Sequence, residues 1–102
     1  MIHIRVQEKE GKITELRIFG HAESDDIGKD LICAAVSSVA FGLCNALDEL
    51  SDSAGFEIQD NDIRIYLPEP DNTAQIVMRT GVIQFETIAE NNSDFIEIET
   101  EE

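Results

Sequence analysis

The 102-residue chain predicts a single α+β domain, a two-layer sandwich in which two helices cover a mostly antiparallel sheet. Five short segments carry the apolar pattern of half-buried strands, and two longer segments carry the spacing of helices, in the order β-β-α-β-β-α-β. Turn residues separate the first two strands and again the next two, which indicates two hairpins. No linker or low-complexity segment interrupts this order, so we expect one domain over residues 1–102.

The amino-terminal segment predicts the first hairpin. In "IHIRVQ", apolar and polar residues alternate with the period of a strand that has one buried face. "EKEG" supplies a turn that ends at Gly11, and "ITELRIF" forms the second strand. The apolar spacing changes near Glu15, which predicts a β-bulge.

A long apolar helix follows. Asp30 is a suitable N-cap, because its carboxylate can accept hydrogen bonds from amides of the first turn. "LICAAVSSVAFGLCNALDEL" is apolar on most sides, as a core helix packed from more than one direction would be, and should end near Leu50. The uncharged stretch 31–47 is short for a membrane span, contains Ser37, and is bounded by Asp30 and Asp48. We therefore predict a buried core helix and no membrane partner.

The second half of the chain has a similar element order. "FEIQ" and "IRIYL" predict a hairpin that turns at Asp60 and Asn61. Pro68 and Pro70 end it, because proline has no amide to donate to a sheet. The last strand lies in "DFIEIETEE".

Between these strands, the second helix begins at Asp71 or Asn72, either of which can serve as its N-cap. Its apolar residues follow one helical face: Ala74, Val77, Met78, Gly81, Phe85 and Ile88. Gly81 costs about 1 kcal/mol relative to alanine inside a helix, which predicts a close neighbour at its backbone. Ile76 and Ile83 lie on another side, where they would join the core or form a dimer contact.

Composition restricts the classes of partner. Seven basic and 22 acidic residues give a formal charge of −15, which argues against direct binding of nucleic acid and favours a basic protein partner. The opening "MIHIRVQ" lacks the layout of a signal peptide, so we expect a cytoplasmic protein.

The chain has two cysteines, Cys33 and Cys44. On one helix they would lie about 16 Å apart along the axis, at about 1.5 Å per residue. A disulfide needs Cα atoms within about 7 Å, so we expect two free thiols and a reducing compartment. A cysteine within an apolar helix is usually a small buried hydrophobe, which is our interpretation of Cys44.

Cys33 differs, because an Asp30 cap would place it in the first helical turn. Free amides and the positive end of the helix dipole there would stabilise a thiolate and a developing oxyanion. His21, at the end of the second strand, is an available base with a near-neutral pKa. Ser37 lies one turn beyond Cys33, and Gly28 would supply a positive-φ turn or loop mobility. The spacing matches no zinc site, and no cofactor is predicted.

These residues stand in a pattern that closely resembles the bacterial ribosomal-processing cysteine protease family called Prp. The matching features are "GHA", then the pattern G.DL.CA.VS within "GKDLICAAVS", then FG..NAL within "FGLCNAL", and more weakly G.I..ETI within "GVIQFETI". The likeness covers nearly the whole chain, and the segment from the histidine to the cysteine is highly specific in residue types and spacing.

The resemblance implies a function and site residues. It implies a cytosolic homodimeric protease that removes the N-terminal extension of a basic large-subunit ribosomal protein, number twenty-seven, after a pair of aromatic residues. His21 matches the general base, Cys33 the nucleophile, and the segment 22–29 a mobile loop. Four further positions match supporting residues: Gly20, Gly28, Asp30 and Ser37.

Two other classes of function stay open at this point. The domain could be a non-catalytic ribosome-assembly or partner-binding module with a structural Cys33. It could also be a redox or metal-binding protein in which His21, Cys33 and a carboxylate act as ligands.

Overall fold

The computed structural model describes residues 1–20, 27–69 and 71–102, with the backbone alone over 27–30. The elements follow the predicted order: strands β1 (Ile2–Lys9) and β2 (Lys12–Gly20), helix α1 (Ile27–Leu50), strands β3 (Gly55–Gln59) and β4 (Asp62–Tyr66), helix α2 (Asn72–Ala89) and strand β5 (Ile96–Glu101). The sheet order is β3-β4-β2-β1-β5. β1 and β5 are parallel, and the other neighbours are antiparallel, which confirms the fold class.

Both hairpins turn where the sequence predicts. Glu10 and Gly11 join β1 to β2 with φ angles of 54° and 78°, the left-handed conformation that a two-residue hairpin turn requires. Asn61 has a φ of 59° in the turn between β3 and β4. Pro68 follows β4, as expected, whereas Pro70 lies outside the described residues.

The β-bulge predicted near position 15 is also present. The register of β1 against β2 shifts between Gln7 and Glu8, so that Thr14 is the extra residue in β2. The insertion allows Ile13 and Leu16, three positions apart, to face the core together. Without it, one of the two side chains would point to the open face of the sheet.

The two helices pack together on one face of the sheet and share its core. The buried apolar side chains come from every element except β3: Ile2, Ile4, Val6, Ile13, Leu16, Ile18, Ile32, Val36, Ala40, Leu43, Cys44, Leu47, Ile63, Ile65, Leu67, Ala74, Met78, Val82, Phe85 and Ile96. Where the helices meet, Gly81 of α2 lies against the buried side chain of Leu43, and a Cβ at Gly81 would overlap it. The predicted close neighbour is therefore Leu43.

By length and composition alone, the segment Leu31–Leu50 of α1 is long and apolar enough to cross a membrane. In the structure, α1 supplies six of the buried core residues, from Ile32 to Leu47. Core packing therefore accounts for part of its apolar character. Ile76 and Ile83 of α2 are 61% and 50% exposed, so they do not belong to the core.

The structure corrects the predicted start of α1. The helix begins at Ile27, so Asp30 is its fourth residue rather than its N-cap, and Gly28 is its second residue rather than part of a loop turn. Two acidic residues of capping type directly precede Ile27 in the sequence, which therefore contains two competing start signals. Glycine or aspartate inside a helix costs about 1 kcal/mol or less, which the packing of a 24-residue helix offsets.

Asp71 connects the end of α1 to the start of α2. Its Oδ1 accepts the backbone N–H of Ala74 at 2.7 Å, which confirms it as the N-cap of α2. Its Oδ2 accepts the hydroxyls of Ser51 and Ser53, at 2.8 Å and 3.2 Å, just beyond the end of α1. The Ala74 amide, and then the serine hydroxyls, lower the pKa of the Asp71 carboxyl.

The contact between the helices gives a first prediction. Gly81→Ala should destabilise the protein by about 1–3 kcal/mol, because Leu43 is buried and has to leave its packed position. Gly42→Ala is the matched control. Gly42 is an exposed helical glycine with nothing within 4 Å of an added Cβ, so alanine there should stabilise by up to about 1 kcal/mol. Urea denaturation measures both, and equal effects of the same sign would contradict this account.

The Asp71 cap gives a second prediction. Its folded-state pKa lies below the unfolded value of about 3.9, so its stabilisation is present at neutral pH and is lost as pH falls through the folded-state value. Asp71→Ala should lower the urea midpoint at pH 7, and the difference from wild type should shrink below about pH 4. Asp94→Ala, at an exposed position, should change the midpoint little. A deficit of the same size at both pH values would contradict the assignment.

Candidate active site

A cleft of about 290 Å³ lies between the amino-terminal half of α1 and the turn that joins β3 to β4. Its floor consists of buried apolar side chains from both layers of the fold: Ile2, Ile18, Val36, Ala40 and Ile63. Cys33, Gly20 and two residues of the hairpin turn, Asp60 and Asn61, also line the cleft. The cleft therefore joins elements that are distant in the sequence.

One stripe of α1 faces this cleft. Cys33, Ser37 and Phe41 recur every four residues, which places them one above the other on a helix surface. Cys33 is half-buried, whereas Ser37 and Phe41 are exposed. The structure thus brings together the predicted nucleophile and the predicted supporting serine.

Gly20 has a conformation that other residues would not adopt easily. Its φ is +84°, and a Cβ there would lie 2.5 Å from the carbonyl oxygen of Met1. Its N–H donates to the carbonyl oxygen of Asn61 at 3.0 Å, which fixes the end of β2 to the β3–β4 turn. The conformation and hydrogen bond of Gly20 therefore fix the backbone of β2 at the cleft, directly before His21 in the sequence.

Several predicted site residues lie outside what the structure describes. His21 and positions 22–26 fall between two described segments, so the structure does not test the pairing of His21 with Cys33. For Gly28 and Asp30 the helical backbone is described, but the side-chain environment of Asp30 is not.

The longer helix changes the chemical environment predicted for Cys33. As the seventh residue of α1, Cys33 lies beyond the first turn, where amides lack intrahelical partners and the dipole is effective. Its backbone N–H bonds within the helix and is not available to an oxyanion. The prediction that Cys33 lies in the first turn, among free helix amides, is therefore wrong.

The charges around the described part of the cleft are acidic. Asp60 and Asp62 contribute to its lining, and no lysine or arginine does so among the described residues. The Arg17 guanidinium donates to both carboxylate oxygens of Asp62, at 2.9 and 3.0 Å, and lowers the pKa of that carboxyl. Asp60 makes no ion pair with another described residue and remains exposed to solvent.

Cys44 has the structural role that the sequence suggests. It is 7% exposed within the core, and burial raises the pKa of its thiol. Both cysteines are free thiols, as predicted. Among the described residues, no group of three or more His, Cys, Asp or Glu side chains could hold a metal ion.

Sequence reasoning missed part of the lining of the cleft. Phe41, Ile58 and Asn61 contribute to it, yet only the turn at Asn61 was recognisable, and only as a turn. Phe41 looked like another apolar residue of a core helix, and Ile58 like a residue of a half-buried strand. Both are about half exposed, which is visible only once the helix is placed on the sheet.

A family model described as cysteine protease Prp matches residues 1–97. The chain is 31% identical over 93 residues to the ribosomal processing cysteine protease Prp of Staphylococcus aureus (strain Mu50 / ATCC 700699), which covers 87% of this chain and 88% of that protein. The protein of the same name in Bacillus subtilis (strain 168) is 30% identical over 112 residues, covering 98% and 97%.

A solved structure is similar over the same extent. The essential ribosomal processing protease Prp from S. aureus, in complex with a covalently linked product peptide, superposes with a TM-score of 0.88. The two chains are 28% identical, and the match covers 98% of this chain and 99% of the other.

The exposures of the two thiols give a third prediction. Iodoacetamide near neutral pH should modify Cys33 at least about tenfold faster than Cys44, because Cys44 is buried and its thiol pKa is raised. Peptide mapping by mass spectrometry measures the two rates separately. In denaturing urea the rates should converge, which serves as the control. Equal rates in the native protein would mean that Cys33 is as inaccessible as Cys44.

Proposed function

The chain belongs to the cysteine protease Prp family, and we propose on that premise that it is a ribosomal-processing endopeptidase. Its proposed substrate is the N-terminal extension of large-subunit ribosomal protein number twenty-seven, cut after a pair of aromatic residues. The observation that carries the proposal is the location of Cys33. Its half-buried thiol lines a cleft that also contains Gly20, the residue before His21.

We assign Cys33 as nucleophile and His21 as general base and acid. The Cys33 sulfur attacks the scissile carbonyl carbon while His21 accepts the thiol proton. The C–N bond breaks as His21 returns that proton to the departing amine, and the acyl group remains on sulfur as a thioester. Water then gives a proton to His21 and attacks the thioester, which releases the carboxylic acid and restores the thiol.

The position of Cys33 within α1 limits which groups can stabilise the oxyanion. Its own amide is bonded in the helix, so donors have to come from side chains or from other segments. We assign Ser37 to this role, because its exposed hydroxyl lies one turn from Cys33 on the same stripe of the cleft. Gly28 and Asp30 are retained as supporting positions on the family match.

The charge distribution fits a basic substrate. The chain carries a formal charge of −15, and Asp60 gives the described lining of the cleft an unpaired carboxylate. Such a field raises the rate at which a basic ribosomal protein meets the enzyme. We place the reaction in the cytoplasm, where no disulfide is needed for this fold.

We also propose that the protein works as a homodimer. Ile76 and Ile83 of α2 are 61% and 50% exposed on the side away from the core, and exposed apolar side chains of this size favour a protein contact. Neither lines the cleft that contains Cys33, so a dimer contact there would leave the cleft open to a peptide.

The proposed roles give a fourth prediction. Cys33→Ala and His21→Ala should each lower kcat/KM for a peptide spanning the extension by roughly 10⁴-fold or more, since each removes a group that takes part in bond making. Product masses measured over time give the rate and the cleavage position.

The matched controls are Cys44→Ala and His3→Ala, which change the other cysteine and the other histidine. His3 stacks on Phe19 with ring centroids 4.9 Å apart and does not itself line the cleft, so its loss should leave the rate near wild type. Full activity of Cys33→Ala would reject Cys33 as the nucleophile, whereas a wild-type protein that cleaves no such peptide would favour a non-catalytic binding module.

A further inference from the structure

Part of the cleft lining is exposed apolar surface. Phe41 and Ile58 line the cleft and are 46% and 52% exposed. Ala40 and Ile63, beside them, form a buried apolar floor. Covering large apolar side chains with a ligand removes them from water, which lowers the free energy. Apolar side chains of this kind are the usual lining of a binding pocket.

The helix provides a ruler for the distance from the reactive sulfur. Phe41 follows Cys33 by eight residues, so it lies about 12 Å farther along the axis at about 1.5 Å per residue. An extended peptide advances about 3.3 Å per residue. A peptide held at Cys33 and running along α1 would therefore bring its third or fourth residue from the scissile bond to Phe41.

We propose that Phe41 and Ile58 form a subsite for a large apolar side chain of the substrate, three or four residues from the scissile bond. The inference rests on the proposed function, because it takes Cys33 as the point of cleavage. The occupant is a peptide segment, since Phe41, Ile58 and Cys33 line one continuous cleft. This subsite is distinct from those that bind the two substrate residues joined by the scissile bond.

A negative charge near the subsite affects which substrate side chains it accepts. Asp60 follows Ile58 by two residues and also contributes to the lining of the cleft. Its carboxylate opposes an acidic residue at the same position of the substrate. The expected order of preference is therefore leucine or phenylalanine, then alanine, then aspartate.

The experiment uses peptides that span the extension, with leucine, alanine or aspartate at the third and fourth positions on each side of the cut. At one of these four positions, wild type should cleave the leucine peptide roughly 10- to 100-fold more efficiently than the alanine peptide, as expected for a hydrophobic pocket. Phe41→Ala and Ile58→Ala should reduce that ratio to near one. Leu50→Ala removes a side chain that is 60% exposed outside the cleft and should keep the wild-type ratio.

A charge exchange separates a subsite from a structural effect. Ile58→Lys should raise cleavage of the aspartate peptide above that by wild type, which loss of folding cannot do. Equal wild-type efficiency for all peptides at these positions would overturn the subsite and leave the proposed function intact.

Failure of the proposed function has a different signature. If wild type cleaves none of the peptides, fluorescence anisotropy on Cys33→Ala still measures their binding. Tighter binding of a leucine peptide, lost in the Cys33→Ala/Phe41→Ala double variant, would then support the apolar subsite without proteolysis. Indifference of binding to the leucine position would overturn it.

Discussion

The contact between Gly81 and Leu43 fixes how α1 is rotated about its own axis. Leu43 reaches the α2 backbone only because Gly81 has no side chain, and this determines which side of α1 faces α2. Cys33, Ser37 and Phe41 lie on the opposite flank of the buried stripe, so the same rotation turns them toward the β3–β4 hairpin. The location of the thiol is thus a consequence of helix packing some three turns away.

A second constraint acts from the sheet. The hydrogen bond from the Gly20 amide to the Asn61 carbonyl joins the end of β2 to the turn of β3 and β4. Asn61 adopts a left-handed conformation there, which aspartate, asparagine and glycine tolerate best. One wall of the cleft and the backbone that leads to His21 are consequently positioned by one short turn.

Most of the fold could be predicted from the sequence, because local patterns determine it. Alternation in β1, the turns at Gly11 and Asn61, and the Asp71 cap each depend on a few neighbouring residues, and all are confirmed. The predicted start of α1 was wrong, because several aspartates in the sequence are possible caps and the helix begins before Asp30. The part that Phe41 and Ile58 play in lining one cleft depends on elements far apart in sequence, which no local pattern encodes.

The placement of Cys33 in the second helical turn separates the reactivity of its thiol from the stability of the helix. Its amide already serves α1, so the thiol can be tuned by groups around the cleft without loosening the helix that carries it. Substitutions on the hairpin opposite would alter reactivity while the scaffold kept its stability. Selection could therefore adjust this protein's turnover and its durability along independent routes.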